Sequence, residues 1–209
     1  MDSQARIVNC FRAAIRDMSL AERNDSQLSN IIGLGFREAL LSLYPDDGEH
    51  FHGELVERYR HYFLHEDTTP SMLFSGAQEL LENLNQQDYF MAIATGKGRV
   101  GLDRSLKEAE VEHHFHASRC ADETRSKPHP QMLEELMDYF AVAPETTIMI
   151  GDTEYDLEMA NNAGADCLGV SHGVHEQSRL EKFNPVTCVA DINELQVWLN
   201  ANLINLNSE

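Results

Sequence analysis

From Thr69-Pro70 onward, short runs of apolar and β-branched residues alternate with amphipathic helical segments, a pattern that demands a mostly parallel sheet joined by crossover helices. A helix over residues 77–86 leads to a strand over 89–94, the turn Thr95-Gly-Lys-Gly98 opens a helix over 100–109, and a short strand is expected over 115–118. Lys127-Pro-His-Pro130 starts a helix over 131–140, with Pro128 suited to a first turn. A strand over 147–150, the loop Gly151-Asp-Thr153 and a helix over 156–163 ended by Gly164 follow. Strands over 167–170 and 186–190 come next, and Asp191 with Glu194 begins the last helix as a capping box.

Before Thr69 the period is helical throughout. Ile7, Phe11, Ala14, Ile15 and Met18 recur at three- and four-residue steps, and further helices are expected over 26–32, 36–42 and 48–64. Gly33, Gly35 and Pro45-Asp-Asp-Gly48 separate them. The chain thus divides into a small helical domain, residues 1–68, and an α/β domain, residues 69–209.

The charge balance, 35 acidic against 16 basic side chains for a net −19, gives a surface that repels nucleic-acid backbones and anionic lipid. Neither nucleic acid nor membrane is expected as a partner. A phosphate site on such a protein has to be made locally positive by a metal, a lysine or backbone N–H groups. Cys10, Cys120, Cys167 and Cys188 are too far apart in sequence to suggest a zinc site and read as reduced, structural thiols. The first twenty residues interleave charge with apolar side chains, unlike a signal peptide, and no apolar run is long enough to span a bilayer. A cytoplasmic protein is expected.

Ligands of open α/β sheets sit beyond the carboxyl ends of the strands, and three such places carry chemistry. Thr95-Gly96-Lys97-Gly98 offers a hydroxyl and successive N–H groups to an anionic oxygen, or simply caps a helix. Lys127, just before a helix start, could hold a negative group in the crevice, or could be a solvated surface charge. The apolar run Ile148-Met-Ile150 delivers Asp152 and Asp156 to the edge of the sheet; carboxylates placed there suit Mg²⁺, whose remaining positions go to water and substrate phosphate. Asp156 reads equally as a helix-start carboxylate.

In this order and spacing, the three segments resemble the haloacid dehalogenase superfamily, in its phosphoglycolate-phosphatase-like branch. Gly151-Asp-Thr-x-x-Asp156-x-x-Met-Ala-x-x-Ala-Gly164, followed by Gly169-Val170 and Gly173, is similar to the family's fourth motif; Thr95 matches the second and Lys127 the third. The resemblance implies a Rossmann-like core with a helical cap and an Mg²⁺-dependent phosphomonoesterase acting on a small phosphorylated metabolite through an aspartyl-phosphate. It further implies that Thr95, Gly96 and Lys127 bind the phosphoryl group, with Thr95 and Lys127 taking catalytic parts, and that Asp152, more weakly Asp156, holds the metal. Gly151-Asp152-Thr153 favours phosphatase over dehalogenase or sugar phosphomutase.

The family's first motif, a strand ending in Asp-x-Asp-Gly-Thr that carries the nucleophile, has no counterpart; Met1-Asp2-Ser3 fits the point just after it. Two explanations stand: the natural protein is longer and starts upstream, or this is a noncatalytic binding or regulatory relative. On either, the sheet should show a gap or a rearrangement where that strand belongs, between the strands bearing Thr95 and Asp152. Asp2 reads as an N-cap or first-turn carboxylate rather than a substitute nucleophile. His113, His114 and His116 read as exposed surface, His172 and His175 as residues near the crevice rim, and Lys97 and Arg99 as either anion-binding or solvated.

Overall fold

A computed structural model describes residues 1–202. Its first layer is helical: α1 (Gln4–Asp17), α2 (Asp25–Asn30), α3 (Phe36–Leu43) and α4 (Glu49–His61), the last running into a π-helical turn, Tyr62–Glu66. The apolar stripe of α1 buries Val8, Phe11, Ala14 and Ile15 against Leu28, Leu40, Leu55 and Tyr59. Asn24 starts α2 with a capping box closed by Gln27.

The α/β part runs α5 (Ala77–Gln86), β1 (Ala92–Thr95), α6 (Arg99–Glu108), β2 (Ala117–Cys120), α7 (Gln131–Phe140), β3 (Ile148–Gly151) and α8 (Glu154–Ala163). It ends with β4 (Asp166–Val170), α9 (Gln177–Leu180), β5 (Thr187–Val189) and α10 (Ile192–Asn202). These five strands pair only in parallel, so the expected α/β class with a parallel sheet is the observed one. β1 and β2 start three and two residues later than periodicity placed them and end one and two residues later, because parallel hydrogen bonding matches Ala92 to Ala117 and Thr95 to Cys120. Thr95 therefore closes β1 instead of opening the following turn. The helix expected from Asp156 begins at Glu154, since Thr153 is its N-cap and shares a capping box with Asp156.

The strands form two sheets: β1 with β2, and β3-β4-β5. β1 and β3 are hydrogen-bonded on one side only, and Ile93, Ala94 and Thr95 face Met149, Ile150 and Gly151 across a cavity of ≈ 360 Å³. The interruption lies where the sequence places it. Its effect on burial is direct: Ile93, Met149 and Ile150 are only half-buried, whereas Cys167, Leu168 and Val170 of β4, covered by neighbours, are buried.

The helical layer is fastened over the sheet edge by Arg6, which donates to the Phe63 carbonyl at 3.0 Å and pairs with Glu108 at 3.4 Å. Gly35 N–H donates to Ser126 Oγ at 2.6 Å, and the Tyr155 hydroxyl to the Asn30 carbonyl at 2.8 Å. Asp2 is exposed, before the cap residue Ser3; its N–H donates to the Met72 carbonyl at 2.8 Å in a single antiparallel bridge. The four cysteines are free thiols. No helix among the described residues is long and apolar enough to cross a membrane.

Candidate active site

The cavity between the two sheets collects Thr95 and Gly96 at the end of β1, Lys127 before α7, and Asp152 and Asp156 after β3. The five residues that the family resemblance assigns to phosphate or metal thus reach one space, over which the helical layer places Phe11, Gly33 and Leu34. Thr95 Oγ1 accepts the Lys97 N–H at 3.1 Å, which leaves its own proton free to donate.

Lys127 is buried, and its Nζ lies 2.5 Å from Asp156 Oδ1. The other oxygen of Asp156 accepts from Thr153 N at 3.1 Å and Thr153 Oγ1 at 2.7 Å. Both oxygens of Asp156 are therefore engaged, and the residue serves to hold Lys127 and to start α8. Asp152 differs: its Oδ2 accepts the Val174 N–H at 3.0 Å, and no lysine or arginine pairs with it among the described residues. Burial, then the neighbouring Asp156 charge, pushes its carboxyl above the usual carboxylate range. Asp152 thus lacks the cationic partner that Lys127 gives Asp156. Among the described residues, no three His, Cys, Asp or Glu side chains converge as a metal-binding group.

Lys97 and Arg99, left open as a pair by the sequence, part company. Arg99 turns to Glu123 at 2.8 Å and to Ser118 Oγ at 2.8 Å, a structural ion pair away from the cavity. Lys97 lines the cavity, its Nζ 5.2 Å from the centre of the Phe63 ring. The histidines expected at the rim also separate. His172 lines the cavity with its ring edge-on to Phe74, whereas His175 is buried and its Nδ1 accepts the Glu154 N–H at 3.0 Å. His113 and His116 are exposed, but His114 is buried on a 3₁₀ turn with Nδ1 2.7 Å from Asn85 Nδ2, correcting the expectation of an exposed cluster. The sequence marks Thr153 as part of the motif but not its capping contact with Asp156, for which the Thr153-x-x-Asp156 spacing is the signal, and nothing local marks the Val174 N–H.

The profile of the haloacid dehalogenase-like hydrolase family matches residues 1–170. "Probable phosphatase IndB" of Dickeya dadantii (strain 3937) is 31% identical over 201 residues, covering 93% of this chain and 86% of that protein. A 5'-nucleotidase of Pseudomonas aeruginosa is 26% identical, covering 96% and 90%. A crystal structure of a hydrolase from Pseudomonas syringae superposes with a TM-score of 0.87 at 20% identity, over 96% of this chain and 93% of that one, a likeness of fold. With its motifs gathered at one cavity and its profile matched over most of its length, the chain belongs to the haloacid dehalogenase-like hydrolases.

Proposed function

We propose that this chain is the scaffold of a phosphomonoesterase that acts on a small phosphorylated metabolite, phosphoglycolate being of the right kind, in the cytoplasm. The observation that carries the proposal is the convergence of Thr95, Gly96, Lys127 and Asp152 on the cavity between β1 and β3. Thr95 Oγ1–H and the N–H groups at Gly96 would bind phosphoryl oxygens, and Lys127, held by Asp156, would neutralise charge developing on the transferred group. Asp152 would hold Mg²⁺, which supplies charge neutralisation on a phosphoryl oxygen when bound. The helical unit, residues 1–68, would act as a cap that excludes water and shapes specificity. The four free cysteines support a reducing, cytoplasmic setting.

The nucleophile is the remaining requirement. Asp156 is committed to Lys127 and Thr153, and Asp2 is exposed with its backbone tied to Met72. In this proposal the aspartyl-phosphate forms on a carboxylate delivered by a strand lying between β1 and β3. A second reading, a noncatalytic phosphate-binding or regulatory protein, is favoured by the engagement of Asp156 with Lys127 and Thr153.

The test is phosphate release from a panel of phosphate esters, with Mg²⁺ and with chelator. It compares this chain with a form preceded by an apolar strand ending in Asp-x-Asp-Gly-Thr. Release by the extended form, abolished by chelator, is the expected result; silence from both on every ester removes the phosphatase proposal and leaves the binding role.

A further inference from the structure

Asn30, the last residue of α2, is held twice by the α/β part. The Tyr155 hydroxyl, from the first turn of α8, donates to its carbonyl at 2.8 Å, and Arg179 Nη1, from α9, donates to its Oδ1 at 2.8 Å. That carbonyl has no helical partner, since Leu34, four residues on, donates instead to the Ile31 carbonyl. Arg179 is aimed by Glu154, whose carboxylate takes Nε at 3.2 Å and Nη2 as well. His175 stands edge-on to the Tyr155 ring with 5.4 Å between centroids. Both donors are thus fixed by the α/β part itself, and a cation at the carboxyl end of α2 suits the helix dipole.

The position of this contact gives it a role. The chain passes Asp2 before entering the helical layer and reaches Met72 after leaving it, and these two residues are bridged to one another. Two other fastenings of the layer, Arg6 to Glu108 and Arg104 to the Leu64 carbonyl, lie close in sequence to those crossings. Asn30 lies far from both. The loop that follows it, residues 31–34, covers the cavity, and at its far end the Gly35 N–H donates to Ser126 Oγ at 2.6 Å. Two crossings side by side make a hinge, and contacts remote from a hinge decide whether the layer stands open or shut. Neither Asn30, Tyr155 nor Arg179 lines the cavity between β1 and β3, so a strand lying there leaves the contact as it is.

We infer that Tyr155 and Arg179 form a latch on Asn30, setting how often the helical layer swings away from the α/β part and how readily a ligand reaches the cavity. The inference goes beyond the phosphatase reading, because it holds whether the cavity turns its ligand over or only binds it. One neutral hydrogen bond shifts such a balance about fivefold, and one from a guanidinium about tenfold or more. Two bonds of that strength bias the layer toward the shut state without welding it there.

The experiment is hydrogen exchange read by mass spectrometry on the intact chain, for wild type, Tyr155→Phe and Arg179→Met. Exchange over residues 28–36 should rise about fivefold in Tyr155→Phe and about tenfold or more in Arg179→Met. Residues 122–129 carry Ser126, the partner of Gly35, and make no hydrogen bond to the three latch residues among the described residues. Their exchange should rise in step, because a layer that swings as a body uncovers both segments. The amides of α1 and β4 should exchange as in wild type. A rise confined to residues 28–36 would mean that the contact only caps α2, and overturns the latch; no rise in either segment does the same. Tyr155→Phe removes a single oxygen and carries the test if Arg179→Met fails to fold. An equal rise in α1 and β4 of Tyr155→Phe would make the contact a general prop of the fold, which also overturns the latch.

Discussion

Lys127 Nζ and Asp156 Oδ1 lie 2.5 Å apart with both side chains almost wholly removed from solvent, and the pair links the loop before α7 to the first turn of α8. Removing one partner leaves the other charged, buried and uncompensated. Lys127→Ala should therefore destabilise the protein by about 3–5 kcal/mol, whereas the double change Lys127→Met with Asp156→Asn should recover much of that loss. Chemical denaturation midpoints of the two variants decide it; equal destabilisation by both would mean the pair is not coupled.

Asp152 is a buried carboxylate whose protonation is favoured by burial and by Asp156, so the folded state holds it at a cost that Asn would not incur. Asp152→Asn should melt at or above the wild-type temperature in the absence of metal. Adding Mg²⁺ to a hundredfold excess over its dissociation constant should stabilise wild type by about 2.7 kcal/mol and leave Asp152→Asn unmoved. A matching shift in both proteins would place the cation elsewhere.

His175 is buried, accepts the Glu154 N–H at Nδ1, and is held below its ordinary value of 6.5 by burial and then by the Arg179 charge. Because the folded state takes up the proton later than the unfolded chain, its contribution is present above that ordinary value and is lost as pH falls through the lowered one. Wild type should lose melting temperature as pH falls below about 6.5, and His175→Gln should lose less over the same range. An unchanged slope in the variant would remove His175 from the acid response.

A Cβ on Gly96 would stand 2.5 Å from the Gly33 carbonyl oxygen and 2.7 Å from that of Leu34, both backbone atoms of the helical layer. Gly96→Ala must push that layer away from the cavity, at about 1–3 kcal/mol, with faster hydrogen exchange across residues 30–35. Gly53→Ala, inside α4 with nothing within 4 Å, is the control and should be neutral to stabilising. Equal behaviour of the two would mean that the layers are not in close contact at Gly96.

By itself, the amino-acid sequence determined the alternation that makes an α/β protein, the helical character of residues 1–68 and the three strand-end segments bearing Thr95, Lys127 and Asp152. Each of those signals is local: a hydrophobic period, a turn residue, or a motif of fixed spacing. The tertiary structure decided what depends on partners distant in the chain. Pairing of Thr95 with Cys120 moved the ends of β1 and β2, because hydrogen-bond register is a property of two strands and periodicity of one. Asp156 turned out to be the mate of Lys127 and Thr153 instead of a free carboxylate, and Lys97 separated from Arg99 because Glu123 captures the arginine alone. The same holds for the histidines: His114 is buried against Asn85, a contact across 29 positions that no window on the sequence contains. Charge and residue type are written in order along the chain, but which charges neutralise one another is settled only when folding brings distant segments within a few ångströms.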